Sequence, residues 1–242
     1  MKRTLFLSVA FVMVTMASAQ LNVQLHYDLG HDIYGDEQSL RPRVTATVEN
    51  FTPDKWGSTY FFIDADIAGN SVKSAYGEIS REFCWWKFPM AVHLEFNGGL
   101  SGSTGSFDNA YLIGPAWNWH SGDFSKTFSV QLLYKYQAHK DHHGGTNHSV
   151  QLTEVWGLDF AGGLFRFSGY CDLWYDKSVN GHLVLSSEPQ FWLNMWKLRG
   201  FNREAKWSVG TEVEVTSNLV WPKVGKNNRF YVIPTLAMKW TF

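Results

Sequence analysis

Apolar and polar side chains alternate along the last fourteen residues of the chain, from Arg229 to Phe242. Because successive side chains of a strand point to opposite faces, this alternation predicts a strand with one apolar face and one face that tolerates water and charge. The length suits a tilted strand that crosses a bilayer, and the last strand of a soluble β-sandwich is the alternative. The apolar face would comprise Phe230, Val232, Pro234, Leu236, Met238, Trp240 and Phe242.

The same alternation assigns faces to other segments. Between Thr59 and Ile67, the acidic residues share a face with aromatic residues and oppose an aliphatic face. A charge on a lipid-facing position costs about 2–4 kcal/mol at the bilayer midplane, so we expect the acidic residues to face inward. Between Thr59 and Ile67 the inward residues are Tyr60, Phe62, Asp64 and Asp66. Between Trp207 and Val215 they are Glu212 and Glu214.

Twelve strand-like segments follow one another with no helical periodicity between them, except over Met195–Arg203. The connections alternate between tight turns and longer polar loops, as in barrels of the outer membrane. We therefore expect an all-β fold, a closed antiparallel up-and-down transmembrane β-barrel of about twelve strands, with bulges or breaks at Pro115, Pro189 and Pro234. The segments are 21–29, 41–51, 56–68, 74–84, 90–99, 109–119, 124–138, 148–160, 164–176, 183–194, 205–217 and 229–242.

The first nineteen residues read as a signal peptide, with a positive start at Lys2 and Arg3, an apolar core and a small-residue cleavage site at Ala17-Ser18-Ala19. Residues 20–242 form one predicted domain, the barrel. Without Lys2 and Arg3 the chain has 19 basic and 22 acidic residues, which gives no reason to expect a nucleic-acid partner. These features predict the outer membrane of a Gram-negative bacterium.

Composition favours the membrane barrel over a soluble β-protein. Aromatic residues make up 17% of the chain, and 12 residues are Trp. Aromatic girdles at the two membrane interfaces account for such a content, because only alternate residues of each strand face lipid. We expect both cysteines, Cys84 and Cys171, to be free, since they fall on segments that lie far apart in strand order.

Several short motifs occur in an order that resembles the Tsx/OmpK family of outer-membrane nucleoside channels. They are Tyr76-Gly77-Glu78-Ile79-Ser80, Gly114-Pro115, Pro189-Gln190-Phe191-Trp192, Gly210-Thr211-Glu212 and Lys239-Trp240-Thr241-Phe242. The resemblance implies a monomeric twelve-stranded barrel with a narrow pore, lined by aromatic and ionisable residues that bind nucleosides in succession. The chain is shorter than the nucleoside transporters of that family, which points to a divergent branch.

The inward residues decide what a barrel of this size lets through. Aromatic faces can stack on a base or sugar, and carboxylates can accept hydrogen bonds from ribose hydroxyls. An interior charge network that only stabilises the barrel is the alternative for any one residue. The pore-lining candidates are Arg43, Tyr60, Phe62, Asp64, Asp66, Glu78, Glu95, Arg166, Trp174, Glu188, Trp192, Glu212 and Glu214.

The sequence thus predicts passive diffusion of small polar solutes, nucleosides favoured, without enzyme activity, cofactor or metal. The expected partners are outer-membrane lipid, these solutes and the barrel-assembly machinery, which would recognise the terminal Phe242. A lipid-modifying enzyme using His93, His120 or His148 and a structural or receptor barrel without a conducting pore remain alternatives. A zinc site formed by His139, His142, His143 and His148 is weighed against a solvated loop.

Overall fold

The computed structural model describes residues 20–102, 105–138, 146–177, 179, 182–220 and 230–242, almost all of them in strands and the turns that join them. One short helix and two 3-10 turns accompany the strands: α1 (Gly30–Tyr34), Gly35–Gln38 and Met195–Lys197. The strands are β1 (Gln20–Asp28), β2 (Val44–Asp54), β3 (Gly57–Ala68), β4 (Ser71–Phe83), β5 (Met90–Ser101), β6 (Gly105–Ser106), β7 (Asn109–His120), β8 (Lys126–Ala138), β9 (Asn147–Phe160), β10 (Phe165–Tyr175), β11 (Leu183–Ser187), β12 (Gln190–Asn194), β13 (Trp207–Ser217) and β14 (Phe230–Thr241).

These strands close into a twelve-stranded antiparallel barrel, which confirms the predicted fold class. Closure is made by β1 and β14, which pair from Asn22–Thr241 to Asp28–Thr235. Two of the fourteen strands add no new stave, that is, no further strand position in the barrel wall. The two-residue β6 pairs with β5 alone, and β11 and β12 are the two halves of one stave between β10 and β13.

The alternation of β14 appears as two physically different faces. Tyr231 and Ile233 are 0% exposed inside the barrel, whereas Leu236 and Met238 are 62% and 50% exposed outside. Aromatic side chains also gather near both ends of the outer surface, as membrane-interface girdles do. Examples are Trp119, Phe160, Trp207 and Trp240 at the end that carries Gln20 and Phe242, and Tyr27, Tyr111, Tyr134 and Tyr175 at the other.

The mid-strand prolines coincide with irregular pairing. Glu188 and Pro189 separate β11 from β12, and the Glu188 N–H donates instead to the Tyr170 carbonyl at 3.1 Å. Gly169 of the neighbouring β10 lies beside this break with φ +157, and a Cβ there would lie 2.5 Å from the Glu188 carbonyl oxygen. At Pro234, which has no N–H, the neighbouring Glu212 backbone is bonded by the Thr235 hydroxyl.

The connections differ between the two ends. We call the end with Gln20 and Phe242 the terminal end and the other the loop end. Tight turns such as the one between β2 and β3 occur at the terminal end, but β3 and β4 are joined at the loop end by Gly69 and Asn70 alone. Met195–Arg203 begins as a single 3-10 turn, and the helix α1 was not predicted.

Cys84 and Cys171 are both free thiols, as expected. No helix among the described residues is long and apolar enough to cross a membrane.

Candidate functional site

The inner face of the barrel is polar, and β1 supplies part of it that the sequence analysis did not single out. Asn22, Gln24, His26 and Asp28 are at most 6% exposed, while the residues between them face outward. The His26 ring bonds to the side chains of Gln24 at 3.0 Å and Thr235 at 3.1 Å. The period of two in this strand was visible in the sequence, so its faces were predictable.

The acidic residues of β3 lie on the inner face and receive hydrogen bonds there. The Thr47 hydroxyl donates to Asp64 at 2.5 Å, and Thr45 and Ser74 donate to Asp66 at 2.8 and 2.6 Å. Donors on β2 therefore hold both carboxylates, and a donor on β4 holds Asp66 as well. These hydroxyl donors satisfy acceptor positions of the two carboxylates.

Carboxylates from two groups of neighbouring strands, β3–β5 and β10–β13, approach one another inside the barrel. Glu188 interacts electrostatically with Glu212, Glu214 and Asp64, and Glu78 does so with Glu95 and Asp172. We call this set the carboxylate belt: Asp64, Glu78, Glu95, Asp172, Glu188, Glu212 and Glu214. The belt joins residues far apart in sequence, because closing the sheet brings opposite walls together.

Aromatic rings of the inner face accompany the belt. Tyr60, Phe62 and Tyr76 follow one another at centroid distances of 6.2 and 6.1 Å, and the Tyr76 hydroxyl donates to Glu78 at 2.8 Å. Tyr60 also interacts electrostatically with Glu188, across the lumen. Tyr60, Phe62, Glu78 and Glu188 all remain partly exposed, so the interior is not sealed around them.

The two tryptophans that were predicted to line the pore are buried and packed against lysines. Trp192 is 0% and Trp174 7% exposed, and each ring face is covered by a lysine ammonium group. Lys239 lies 4.0 Å from the Trp192 centroid and Lys135 lies 3.8 Å from that of Trp174. These rings hold cations in place and do not offer a free face to a solute.

Of the two arginines that were predicted to line the pore, Arg166 lies inside the barrel and Arg43 lies outside. Arg166 makes two 3.0 Å hydrogen bonds to Asp159 and stands opposite Trp192 in the strand register, hence on the inner face. Arg43 lies outside, where it bonds to the Tyr27 hydroxyl at 3.0 Å and to Asp32. The prediction for Arg43 was wrong because the strand alternation begins at Val44 and does not extend back to it.

Arg41 was not among the predicted pore residues, yet it reaches the Asp28 carboxylate at 2.6 Å and contacts Glu214. No strand periodicity applies to it, because it lies between the 3-10 turn and β2. Among the cations described around the belt are Arg41, Lys135, Arg166 and Lys239. The belt carboxylates outnumber these four, so the interior is acidic at its centre.

The histidines named for other chemistry have structural partners. His93 lies between the carboxylates of Glu82 and Glu95, at 3.3 and 3.0 Å, and His120 stacks on Phe124. His148 is bonded to the Tyr134 hydroxyl at 2.5 Å on the outer side. His139, His142 and His143 lie outside the described residues, and within the described ranges no group of three or more His, Cys, Asp and Glu residues is arranged to hold a metal ion.

Comparison with known proteins assigns a family and a fold. Residues 19–242 match the family described as "Domain of unknown function (DUF5020)", so the chain belongs to that family. No curated protein matches the sequence.

Among solved structures, the NanC porin has a TM-score of 0.57 at 10% identity, covering 92% of this chain and all of its own. The KdgM porin has a TM-score of 0.49 at 9% identity, covering 92% of this chain and 99% of its own. LpxR from Salmonella typhimurium also has a TM-score of 0.49, at 10% identity, with 93% and 100% covered. The likeness to the NanC porin at such low identity is one of fold alone, that of a small closed antiparallel β-barrel.

Proposed function

We propose that the protein is an outer-membrane channel through which small polar solutes diffuse passively. The carboxylate belt carries this proposal, because acidic side chains with partial exposure come from opposite walls of a closed barrel and interact with one another inside it. A barrel filled by a packed apolar core would leave no such polar path. The fold shared with the NanC porin supports a channel of this kind.

Nucleosides are the proposed preferred solutes. Tyr60, Phe62 and Tyr76 offer a row of aromatic rings on one wall, on which a base can stack. Asp64, Glu78 and Glu188 can accept hydrogen bonds from ribose hydroxyls. The motif resemblance to the Tsx/OmpK nucleoside channels supports the same class of solute. Flow down a gradient requires no cofactor, and weak binding at several points favours release.

The membrane setting completes the proposal. Residues 1–19 act as a signal peptide, the outer apolar face contacts outer-membrane lipid, and the terminal Phe242 is read by the assembly machinery. The Phe242 N–H already donates to Leu21 of β1 at 3.0 Å, at the seam that closes the barrel. The barrel works as a monomer, with the terminal end in the periplasm and the loop end outside.

Conductance in planar lipid bilayers tests the proposal. The purified barrel is expected to give discrete single-channel currents, and adenosine or thymidine at millimolar concentration or below is expected to block them partially. A sugar of similar size, which lacks the aromatic base, serves as the control solute. A barrel without conductance would reject the channel. Conductance with equal effects of nucleoside and sugar would leave a channel for other polar solutes.

A further inference from the structure

The segment between β1 and β2 folds against the barrel instead of projecting from it. β1 ends at Asp28, while β14 continues towards the loop end without β1 beside it. The segment occupies this free edge: the Leu29 N–H donates to the Pro234 carbonyl at 3.1 Å. The Tyr34 hydroxyl donates to the Val232 carbonyl at 3.2 Å and accepts from the Val232 N–H at 2.9 Å.

A second set of contacts ties the segment to the inner face. The Tyr231 hydroxyl donates to Glu37 at 2.6 Å, and the rings of Tyr34 and Tyr231 meet edge to face at 5.1 Å. Gln38 is 3% exposed, although it belongs to a polar connection. The segment therefore covers part of the barrel mouth from within.

Arg41 is the charged contact of this segment with the lumen. Its Nε donates to Asp28 of β1 at 2.6 Å, and its Nη2 donates to Glu214 of β13, so the guanidinium bridges two staves across the inner face of β14. The Arg41 side chain is 24% exposed and the two carboxylates 7% and 15%. Charge-assisted hydrogen bonds in such partly buried positions are the stronger kind.

Gly30 leaves space for the contact between Arg41 and Asp28. A Cβ at Gly30 would lie 2.8 Å from the Asp28 carboxylate oxygen, 3.2 Å from Ile233 and 3.5 Å from Arg41. The Gly30 N–H also donates to Asp28 at 2.6 Å. The segment and the Asp28 carboxylate thus approach each other closely, and Arg41 is held beside them.

We infer that Arg41 moderates the cation preference of the pore and that the segment from Gly30 to Arg41 constricts its mouth. The inference rests on the proposed channel. Glu214 belongs to the carboxylate belt, and Arg41 offsets the charge of Glu214 and Asp28 where a solute enters. A cation that approaches the belt from the loop end meets one fixed positive charge there, so Arg41 lowers the cation preference that the belt would otherwise produce.

Substitution of Arg41 by Gln tests this role, with Arg43→Gln as the matched control. Both arginines lie in the same connection, but Arg43 is bonded to Tyr27 and Asp32 on the outer side. Arg41→Gln is expected to raise single-channel conductance and to shift the reversal potential in a salt gradient towards greater cation preference. Arg43→Gln is expected to match the wild-type channel in both measurements.

A variant of opposite sign guards against a simple loss of structure. Replacing both partners, Asp28→Asn with Glu214→Gln, leaves the Arg41 charge uncompensated and is expected to shift the reversal potential towards anions. Heat-dependent migration in gels shows whether each variant is folded. Wild-type selectivity in folded, conducting Arg41→Gln channels would overturn the inference, as would shifts of the same sign in both variants. Absence of conductance in the wild-type barrel would overturn the channel itself, and this role with it.

Discussion

At the scale of single residues, the outer and inner faces of the barrel tolerate opposite substitutions. Leu236 is 62% exposed on the outer face, and Leu236→Arg would place a cation towards lipid at a cost of about 2–4 kcal/mol near the midplane. We expect a lower free energy of unfolding in lipid vesicles, measured by urea titration. Leu40→Arg is the matched control, because Leu40 is 79% exposed in the connection between β1 and β2. Glu212→Gln, on the inner face, is expected to keep the fold. Equal destabilisation by all three would contradict the assignment of faces.

The orientation of single residues was predictable where a long strand alternates without interruption. The inward positions of Asp64 and Asp66 followed from the aliphatic residues between them. The rule does not reach beyond the strand ends, and a shift of one residue exchanges the two faces. For that reason Arg43 was predicted inside and lies outside, and no pattern in the sequence indicated that Arg41 faces the lumen.

At the scale of elements, the broken stave formed by β11 and β12 depends on its neighbour β10. A Cβ at Gly169 would lie 2.5 Å from the Glu188 carbonyl oxygen and 2.9 Å from Pro189, and the φ of +157 also disfavours a branched side chain. Gly169→Val is expected to destabilise the barrel by about 1–3 kcal/mol through overpacking. Gly122→Val is the control, because no atom lies within 4 Å of its Cβ position. The readout is the temperature at which each variant loses its compact form in gels, and equal temperatures would contradict the expected strain.

The breaks in the strands were predictable in position and not in form. Proline lacks an N–H, so Pro115, Pro189 and Pro234 each marked a place where a ladder must be interrupted. What replaces the missing hydrogen bond depends on the partner strand, which a single sequence does not identify. At Pro234 it is the Thr235 side chain, whereas at Pro189 the whole stave divides.

At the scale of the whole molecule, the belt arises from closure. The sequence placed Glu78, Glu188 and Glu212 on inner faces, but each lies on a different stave. Their mutual approach depends on strand number, tilt and curvature, which are properties of the closed sheet. The residues of the belt were therefore predictable from strand alternation, whereas the contacts between them were not. Asp172, which interacts with Glu78, completes the belt.

The acidic interior leads to a prediction about the channel as a whole. In a salt gradient the wild-type pore is expected to prefer cations, and the double variant Glu78→Gln with Glu212→Gln is expected to lose part of this preference and of the nucleoside block. Glu154→Gln is the matched control, because Glu154 is exposed on the outer face opposite Val130 and Cys171.

Ionic strength separates fixed charge from pore size as the origin of this preference. The Debye length falls from about 30 Å at 0.01 M salt to about 3 Å at 1 M, so a preference produced by the belt is expected to weaken steadily over this range. A preference that stays constant with salt, or a Glu154→Gln channel that changes as much as the double variant, would show that the carboxylate belt does not set the selectivity.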